Sequence, residues 1–435
     1  MSAQLIKQNG HELTIQITVN ISGSMLEAEE NVQRAVNEAG CLATQQALKH
    51  FDTEGSAIII EGIKWTKRAS NLKKYQTPYG EIELERYVYQ TSKGGKIYCP
   101  LEQNARIIRH ATPRFAKQLS YKYAEMNVNK VCEDLVENHG RNIAASYVQN
   151  IAEWVGGIAA AKEEQWEYTT PQLNHAVRTI AISLDGAHIP MKASPDKGRK
   201  EGGYRQAMVG TISLYNGEAE RLHTIYLAEA PEYGKSTFTQ RMTQEIERIK
   251  ALYPEALYVG IADGAVDNWR FLEQQADKLL LDYFHASQYL PHLAQAAYPG
   301  KTDTSQREAW LVEKKHQLKH EPDFVDKLID EAKCLLKKKS LGKTVREQLN
   351  KALTYFTNQR YRMDYAGFRA HHLPIGSGVT EAACKVLVKQ RLCASGMRWK
   401  EKGAKVVLSL RALSESTGRW TQFWDKINQF GVIPC

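Results

Sequence analysis

Two apolar runs, TIAISLDGA from Thr179 and YVGIADGA from Tyr258, close on the same tripeptide, Asp-Gly-Ala. Runs this short, rich in Ile, Val and Ala, read as buried strands. An acid closing a buried strand is costly to desolvate unless a partner offsets it. The repetition 78 residues apart (263 − 185) therefore says that both ends meet something. In layered α/β folds, functional groups gather at strand ends, where side chains of neighbouring strands converge on a ligand. The glycine after each acid lets backbone or ligand approach with no Cβ in the way. A single Asp-Gly is an ordinary strand-to-turn junction. Two of them in matching contexts constrain the fold.

The elements around the pair set its order. After TIAISLDG come GYRQAMVGTISLYNG and RLHTIYLAE, the last two separated by an Asn216-Gly217 turn that predicts an antiparallel hairpin. A helix over 235–252 carries Phe238, Met242, Ile246 and Ile249 on one side. Then follow ALYVGIADG, a short helix near VDNWRFLEQQ, the strand KLLLDYFH and a helix from about Ser287. Three strands, helix, strand, helix, strand is the order of a ribonuclease-H-like, retroviral-integrase-like layer in the α/β class. Residues 301–365 interrupt it as a helical insertion, with Phe324, Val325, Leu328, Ile329, Ala332 and Leu335 on one stripe. The core is thus expected over 173–300 and 366–435. Lys337, Lys338 and Lys339 close an insertion helix as a solvated run complementing its dipole, and Trp420, Phe423, Trp424 and Ile427 form a packing stripe near the end.

Upstream, residues 1–110 read as a smaller α/β region. Leu13, Ile15, Ile17, Val19 and Ile21 alternate as a strand. A long helix from Met25 to Phe51 presents Val32, Ala35, Val36 and Ala39 inward, and further strands include a hairpin across Gly94-Gly95. From 111 to 172 the texture is helical, broken at MNVNK and NHGRN. That layout predicts a helix-turn-helix whose last helix buries Ile143, Val148, Ile151, Val155 and Ile158. Its other face carries Asn142, Ser146, Gln149 and Asn150, with Arg141 at its start, side chains suited to base edges and phosphates. A plain helical bundle with a polar solvent face is the alternative.

A formal charge of +9 and a pI near 9.0 over 435 residues favour an anionic partner, although excess charge also serves solubility. Seven cysteines without a Cys-x-x-Cys pair predict free thiols and neither a disulfide framework nor a zinc cage. No apolar run is long enough to span a bilayer, and the first residues lack the layout of a secretory signal, so no membrane partner and a cytoplasmic location are expected.

Two ionised carboxylates held together call for a divalent cation. A third acid to complete an open magnesium site is Glu381 in PIGSGVTEAACK, in the first turn of a helix from about Thr380. Lys385 and Lys389 follow at four and eight on the same face. A simple Glu-to-Lys pair at a helix start is the alternative for that segment.

Together, SLDGAHI, GIADGA, LDYFHA, PIGSGVTEAACK and VKQRLCASGMRWKEKGAKVVLSLRAL resemble the DDE-class transposases of bacterial insertion sequences, of the ISKra type and distantly Mutator-like, over roughly residues 75–415. The resemblance implies an acidic triad of Asp185, Asp263 and Glu381 holding two Mg²⁺ ions, for which Mn²⁺ can substitute. Related families carry Cys-x-x-His after the second acid. Here the motif is Asp282-Tyr-Phe-His285, so His285 carries over, to orient phosphate or leaving group or else as a packed, satisfied histidine, and the cysteine does not. Arg398 and Trp399 in SGMRW suit phosphate contact and base stacking, with a core tryptophan as the alternative for Trp399. The expected activity is cleavage at terminal inverted repeats and transfer of a 3′-hydroxyl to target DNA, by a homodimer or higher assembly at the nucleoid. Two alternatives share the core: a structure-selective nuclease, and a transposase-derived DNA-binding regulator without catalysis.

Overall fold

The computed structural model describes residues 2–163, 165–193, 201–232 and 234–431. It is mixed α/β and divides into two compact units. The first holds residues up to Thr169 together with Lys402–Ser414 and the described residues from Gly418; the second holds Thr170–Glu401 with Glu415–Thr417.

In the first unit, β1 (Ala3–Asn9) and β2 (Glu12–Ile17) pair antiparallel, Asn9 opposite Glu12. Gly10 at φ +55° makes the turn. The alternation in the sequence runs to Ile21, but pairing stops at Ile17 and Ile21 is exposed. Helix α1 (Met25–Lys49) starts in a capping box: the Ser24 hydroxyl accepts from the Glu27 amide, and Glu27 accepts from the Ser24 amide at 2.7 Å. Its expected inward stripe is only partly inward. Ala35 is buried, whereas Val32 and Val36 stand exposed.

Strands β3 (Ile58–Ile60), β4 (Ile63–Gln76) and β5 (Glu81–Thr91) form an antiparallel sheet. The expected return strand after Gly94-Gly95 shrinks to a bridge of Tyr98 with Tyr89. Short α2 (Pro100–Asn104) precedes α3 (Pro113–Glu125), α4 (Val128–His139) and α5 (Ala145–Lys162). Asn127 caps α4 by accepting from the Lys130 amide at 3.0 Å, and Gly140 at φ +61° ends it. These are the breaks read from MNVNK and NHGRN. Ile143, Val148, Ile151, Val155 and Ile158 are buried.

The second unit centres on a five-stranded sheet of β6 (Thr179–Met191), β7 (Gly203–Tyr215), β8 (Arg221–Glu229), β9 (Leu257–Ala262) and β10 (Lys278–Leu281), ordered β10-β9-β6-β7-β8. The first three strands pair antiparallel; β9 runs parallel to β6, and β10 to β9. Helices α6 (Ser236–Leu252) and α7 (Val266–Gln275) make the crossovers, burying Phe238, Met242, Ile246, Ile249, Trp269 and Leu272. After α8 (Tyr283–Ser287) and α9 (Leu290–Ala297), the interrupting segment is helical as expected: α10 (Thr304–His320), α11 (Phe324–Leu336) and α12 (Lys343–Gln359). All six residues of the α11 stripe are buried in the core of this unit, and the lysines from 337 to 339 are exposed. The chain continues through α13 (Tyr365–Ala370) and α14 (Gly378–Ala383), a π-helical stretch Cys384–Lys389, and α15 (Gln390–Leu392).

The sequence reading placed everything from 366 onward in the core. Instead α16 (Glu401–Glu415) and α17 (Arg419–Phe430) pack largely with the first unit. A Cβ on Gly156 of α5 would lie 3.2 Å from the Val406 Cα, the Trp166 and Phe423 rings sit 5.7 Å apart, and Arg411 donates to the Ala124 carbonyl at 2.9 Å. The α17 stripe was thus right about packing and wrong about the partner. No helix of the described residues is long and apolar enough to cross a membrane. The six described cysteines are free thiols; Cys435 lies outside the described residues.

Candidate active site

The sheet brings the strand-end acids together by register. Ser183 of β6 pairs with Ile261 of β9, so Asp185 and Asp263 each stand two residues farther along adjoining parallel strands. Leu281 of β10 pairs with Ala262, which sets Asp282 beside Asp263. One expectation needs correction: Asp185 does not end its strand. β6 runs on to Met191, with Asp185 opposite Val209 of β7, and what ends at this level is the pairing with β9. The acid therefore sits where the sheet opens on one side, with β7 holding it on the other. Gly186 serves that packing, since the Gln206 side chain occupies the space a Cβ would take.

Each acid is fixed differently. The Asp185 Oδ1 accepts from the Gly186 amide at 2.6 Å, and its Oδ2 from the Cys384 thiol at 3.4 Å. Burial, then the Asp185 charge beside it, pushes the Cys384 thiol well above its ordinary range, so sulfur keeps its proton and acts as donor. Asp263 turns back on its own loop: Oδ1 accepts from the Ala265 amide at 3.1 Å and from Asn268 at 3.4 Å. Asn268 also donates to the Leu184 carbonyl at 3.4 Å, tying the two acidic strands together. Gly264 at φ +103° makes a turn that a side chain would strain. The insertion braces it: the Tyr355 hydroxyl donates to the Asp263 carbonyl at 3.0 Å and Gln359 to that of Gly264 at 3.4 Å. Burial, the neighbouring Tyr289 and the charges of Asp263 and Asp282 keep the Tyr355 phenol protonated far above its usual range.

Glu381 arrives on α14, anchored by a Thr380 to Thr211 hydroxyl contact of 2.7 Å between buried side chains. The loop before α14 is held by Asp282, whose Oδ2 accepts from both the amide and the hydroxyl of Ser377, the latter at 2.6 Å. Its Oδ1 caps α8 by accepting from the His285 amide at 2.9 Å. His285 Nε2 lies 3.2 Å from Glu381 Oε1.

The metal set expected from the sequence is therefore not the set the fold gathers. Among the described residues, the three ligand-type side chains whose donor atoms all lie within 4.8 Å of one another are Asp282, His285 and Glu381. Glu381 is turned to His285, and Asp185 and Asp263 are held by their own loops and by Cys384. In type, the donors still suit a divalent cation. Asp185 and Asp263 are half-buried oxygen donors, and among the described residues neither makes a salt bridge that would satisfy it.

The remaining site residues divide. Lys385, Lys389 and Arg398 are exposed. The π-helical stretch takes an extra residue per turn, so Lys389 does not continue the Glu381 and Lys385 face as an α-helix would. Trp399 is stitched to β6: its amide donates to the Pro190 carbonyl at 2.9 Å, its indole to that of Leu392 at 2.9 Å, and Arg391 lies over its ring. That indole edge is committed to the fold. In the first unit, Asn142, Ser146, Gln149 and Asn150 share an exposed face of the α5 segment, Gln149 bonding Glu153 at 2.7 Å.

Arg141 is the exception. It is 8 % exposed, donates to Gln76 Oε1 at 2.7 Å and lies over the Phe115 ring, a structural position. Arg141→Met is accordingly expected to cost about 1.5–3 kcal/mol of stability. Thermal unfolding of the variant beside the wild type measures the loss.

The sequence reading noted Asp282 only as a departure from a motif. Its signal was present in the rule already applied to the other two acids, since KLLL followed by Asp282 is another apolar run closing on an acid. Tyr355, Gln359 and Cys384 had no such signal, because their roles come from tertiary contacts. A scan against models of known protein families and a search of curated proteins find nothing that matches this chain.

Proposed function

We propose that this chain is a DDE-class DNA transposase of an insertion sequence, with a ribonuclease-H-like, retroviral-integrase-like catalytic unit. It binds the terminal inverted repeats of its element and carries out metal-dependent cleavage and strand transfer. The observation that carries the reading is that Asp185 on β6 and Asp263 just past the end of β9 each stand two residues beyond the last pair of these parallel strands, with the α14 helix of Glu381 packed against β7 through Thr380. The strand order β10-β9-β6-β7-β8, with the insertion between the second acid and the glutamate, supports the same reading.

A divalent cation, Mg²⁺ or Mn²⁺, held by Asp185, Asp263 and Glu381 would neutralise phosphate charge and lower the pKa of an attacking water or 3′-hydroxyl. The chain's own residues position that chemistry. Cys384 and Asn268 orient the two carboxylates, Tyr355 and Gln359 fix the turn that follows Asp263, and His285 presents an imidazole beside Glu381 to the phosphate. Lys385, Lys389 and Arg398 supply exposed cations for the strand, and Asn142, Ser146, Gln149 and Asn150 read the end sequence. Pairing two ends makes a homodimer or higher assembly the working form.

The test supplies a transposon end already carrying a free 3′-hydroxyl, a supercoiled target and Mg²⁺. Joined end-to-target products are expected. Hydrolysis without joining would convert the reading to a nuclease, and a footprint at the repeats with no reaction would convert it to a regulator.

A further inference from the structure

We propose that Asp282, His285 and Glu381 form a second cation site, sharing Glu381 with the proposed catalytic set, one that takes a nitrogen-accepting transition metal of the Zn²⁺ or Co²⁺ class rather than Mg²⁺. Three observations converge. The donor atoms lie within 4.8 Å of one another, and His285 Nε2 and Glu381 Oε1 are 3.2 Å apart. Ligands at about 2.0–2.1 Å around a tetrahedral ion stand about 3.3 Å from each other, so this pair already has the spacing the ion needs. Second, Asp282 is 0 % exposed, and among the described residues no lysine or arginine forms a salt bridge with it. A fully buried carboxylate without a counter-cation is unfavourable, and hydrogen bonding alone does not neutralise it. Third, the donor count leaves room: Oδ2 takes two bonds from Ser377 and Oδ1 takes one from the His285 amide, so Oδ1 keeps a lone pair.

The role of Asp282 as the cap of α8 explains only the His285 amide bond. It does not explain why the imidazole and a second carboxylate close over the same spot. Imidazole with carboxylate favours Zn²⁺-like ions over Mg²⁺, which keeps to oxygen and water. His285 and Glu381 are part-exposed, which gives an entry path, and three protein ligands leave a position open. Glu381 faces His285 through Oε1, which leaves Oε2 as a second donor oxygen. Ion binding rests on this geometry alone, and only its use in strand transfer rests on the reading above.

The experiment titrates metal-stripped, full-length protein with Co²⁺, followed by visible absorption, and with Zn²⁺ by calorimetry. One tightly bound ion with a low-coordinate nitrogen and oxygen spectrum is expected, tighter than any ion on Asp185 and Asp263. His285→Ala should weaken it by at least the ~10–100-fold that even outer-shell changes cost. The Asp185→Asn, Asp263→Asn double variant should bind as wild type. His285 is the decisive position, because Asp282→Asn also loosens Ser377. Binding indifferent to His285→Ala, no binding in wild type, or a thiolate charge-transfer band placing the ion on cysteine would each overturn the proposal. Loss of strand transfer in the double variant with Co²⁺ binding intact separates this site from the catalytic reading.

Discussion

Asp185→Asn is expected to lower Mg²⁺-dependent DNA nicking by about three orders of magnitude or more, with binding to the transposon end retained. The exchange keeps volume and shape, and the amide oxygen can still accept from Cys384, so the sheet around Val209 has no reason to move. What disappears is the negative charge. Several kcal/mol of transition-state charge stabilisation depend on a correctly held ion, and about 1.4 kcal/mol is tenfold in rate. Asp263→Asn should fall equally far, and the double variant little farther, because the acids act as a unit. Plasmid nicking with a parallel gel-shift measurement reads both quantities. Undiminished nicking by Asp185→Asn would remove that residue from the chemistry, and with it the reading built on the register of β6 and β9.

The largest effect on stability is expected away from the acids, at Arg241→Met. Arg241 on α6 pairs with Glu229 at the end of β8, with both side chains 5 % exposed. Glu229 also accepts from the Ala230 amide at 3.0 Å. Removing the guanidinium leaves a buried acid without its arginine, which costs about 3–5 kcal/mol. For a unit of this size that is a drop of about 6–20 °C in the unfolding midpoint, taking 2–4 °C per kcal/mol. The Arg241→Met, Glu229→Leu pair should recover most of the loss, since a well-packed apolar replacement avoids desolvating both charges. Thermal unfolding of the three variants measures it. A single variant as stable as wild type would mean that the pair contributes nothing.

The succession of strands and helices along the second unit was legible because each β-strand there is an apolar run bounded by turn residues, and the connections alternate with helices whose stripes point at that sheet. The α11 stripe was legible for the same reason. Three things were not. Asp185 looked like a strand terminus because Gly186 follows it, but pairing with β7 overrides local turn propensity and carries β6 six residues farther, to Met191. Arg141 stood at the start of an apparently DNA-reading helix, yet its fate was decided by Gln76 and Phe115, 65 and 26 residues away (141 − 76 and 141 − 115). Glu381 was found, but the direction of its carboxylate was not, because Asp282 sets it by holding Ser377. Periodicity tells which face is inward. It does not tell which polar group a side chain turns to.

The return of α16 and α17 to the first unit bears on the order in which the protein can be made. Val406, Leu410, Phe423, Trp424 and Ile427 are buried, and they are synthesised only after the Thr170–Glu401 segment of the second unit. At about 5–20 residues per second, the amino-terminal body waits for the whole intervening sequence before its own interior can close. A message cut short before Lys402 would therefore yield a chain whose amino-terminal portion lacks those apolar groups and leaves the surfaces they cover open to water. Such a product should be a substrate for proteases and chaperones.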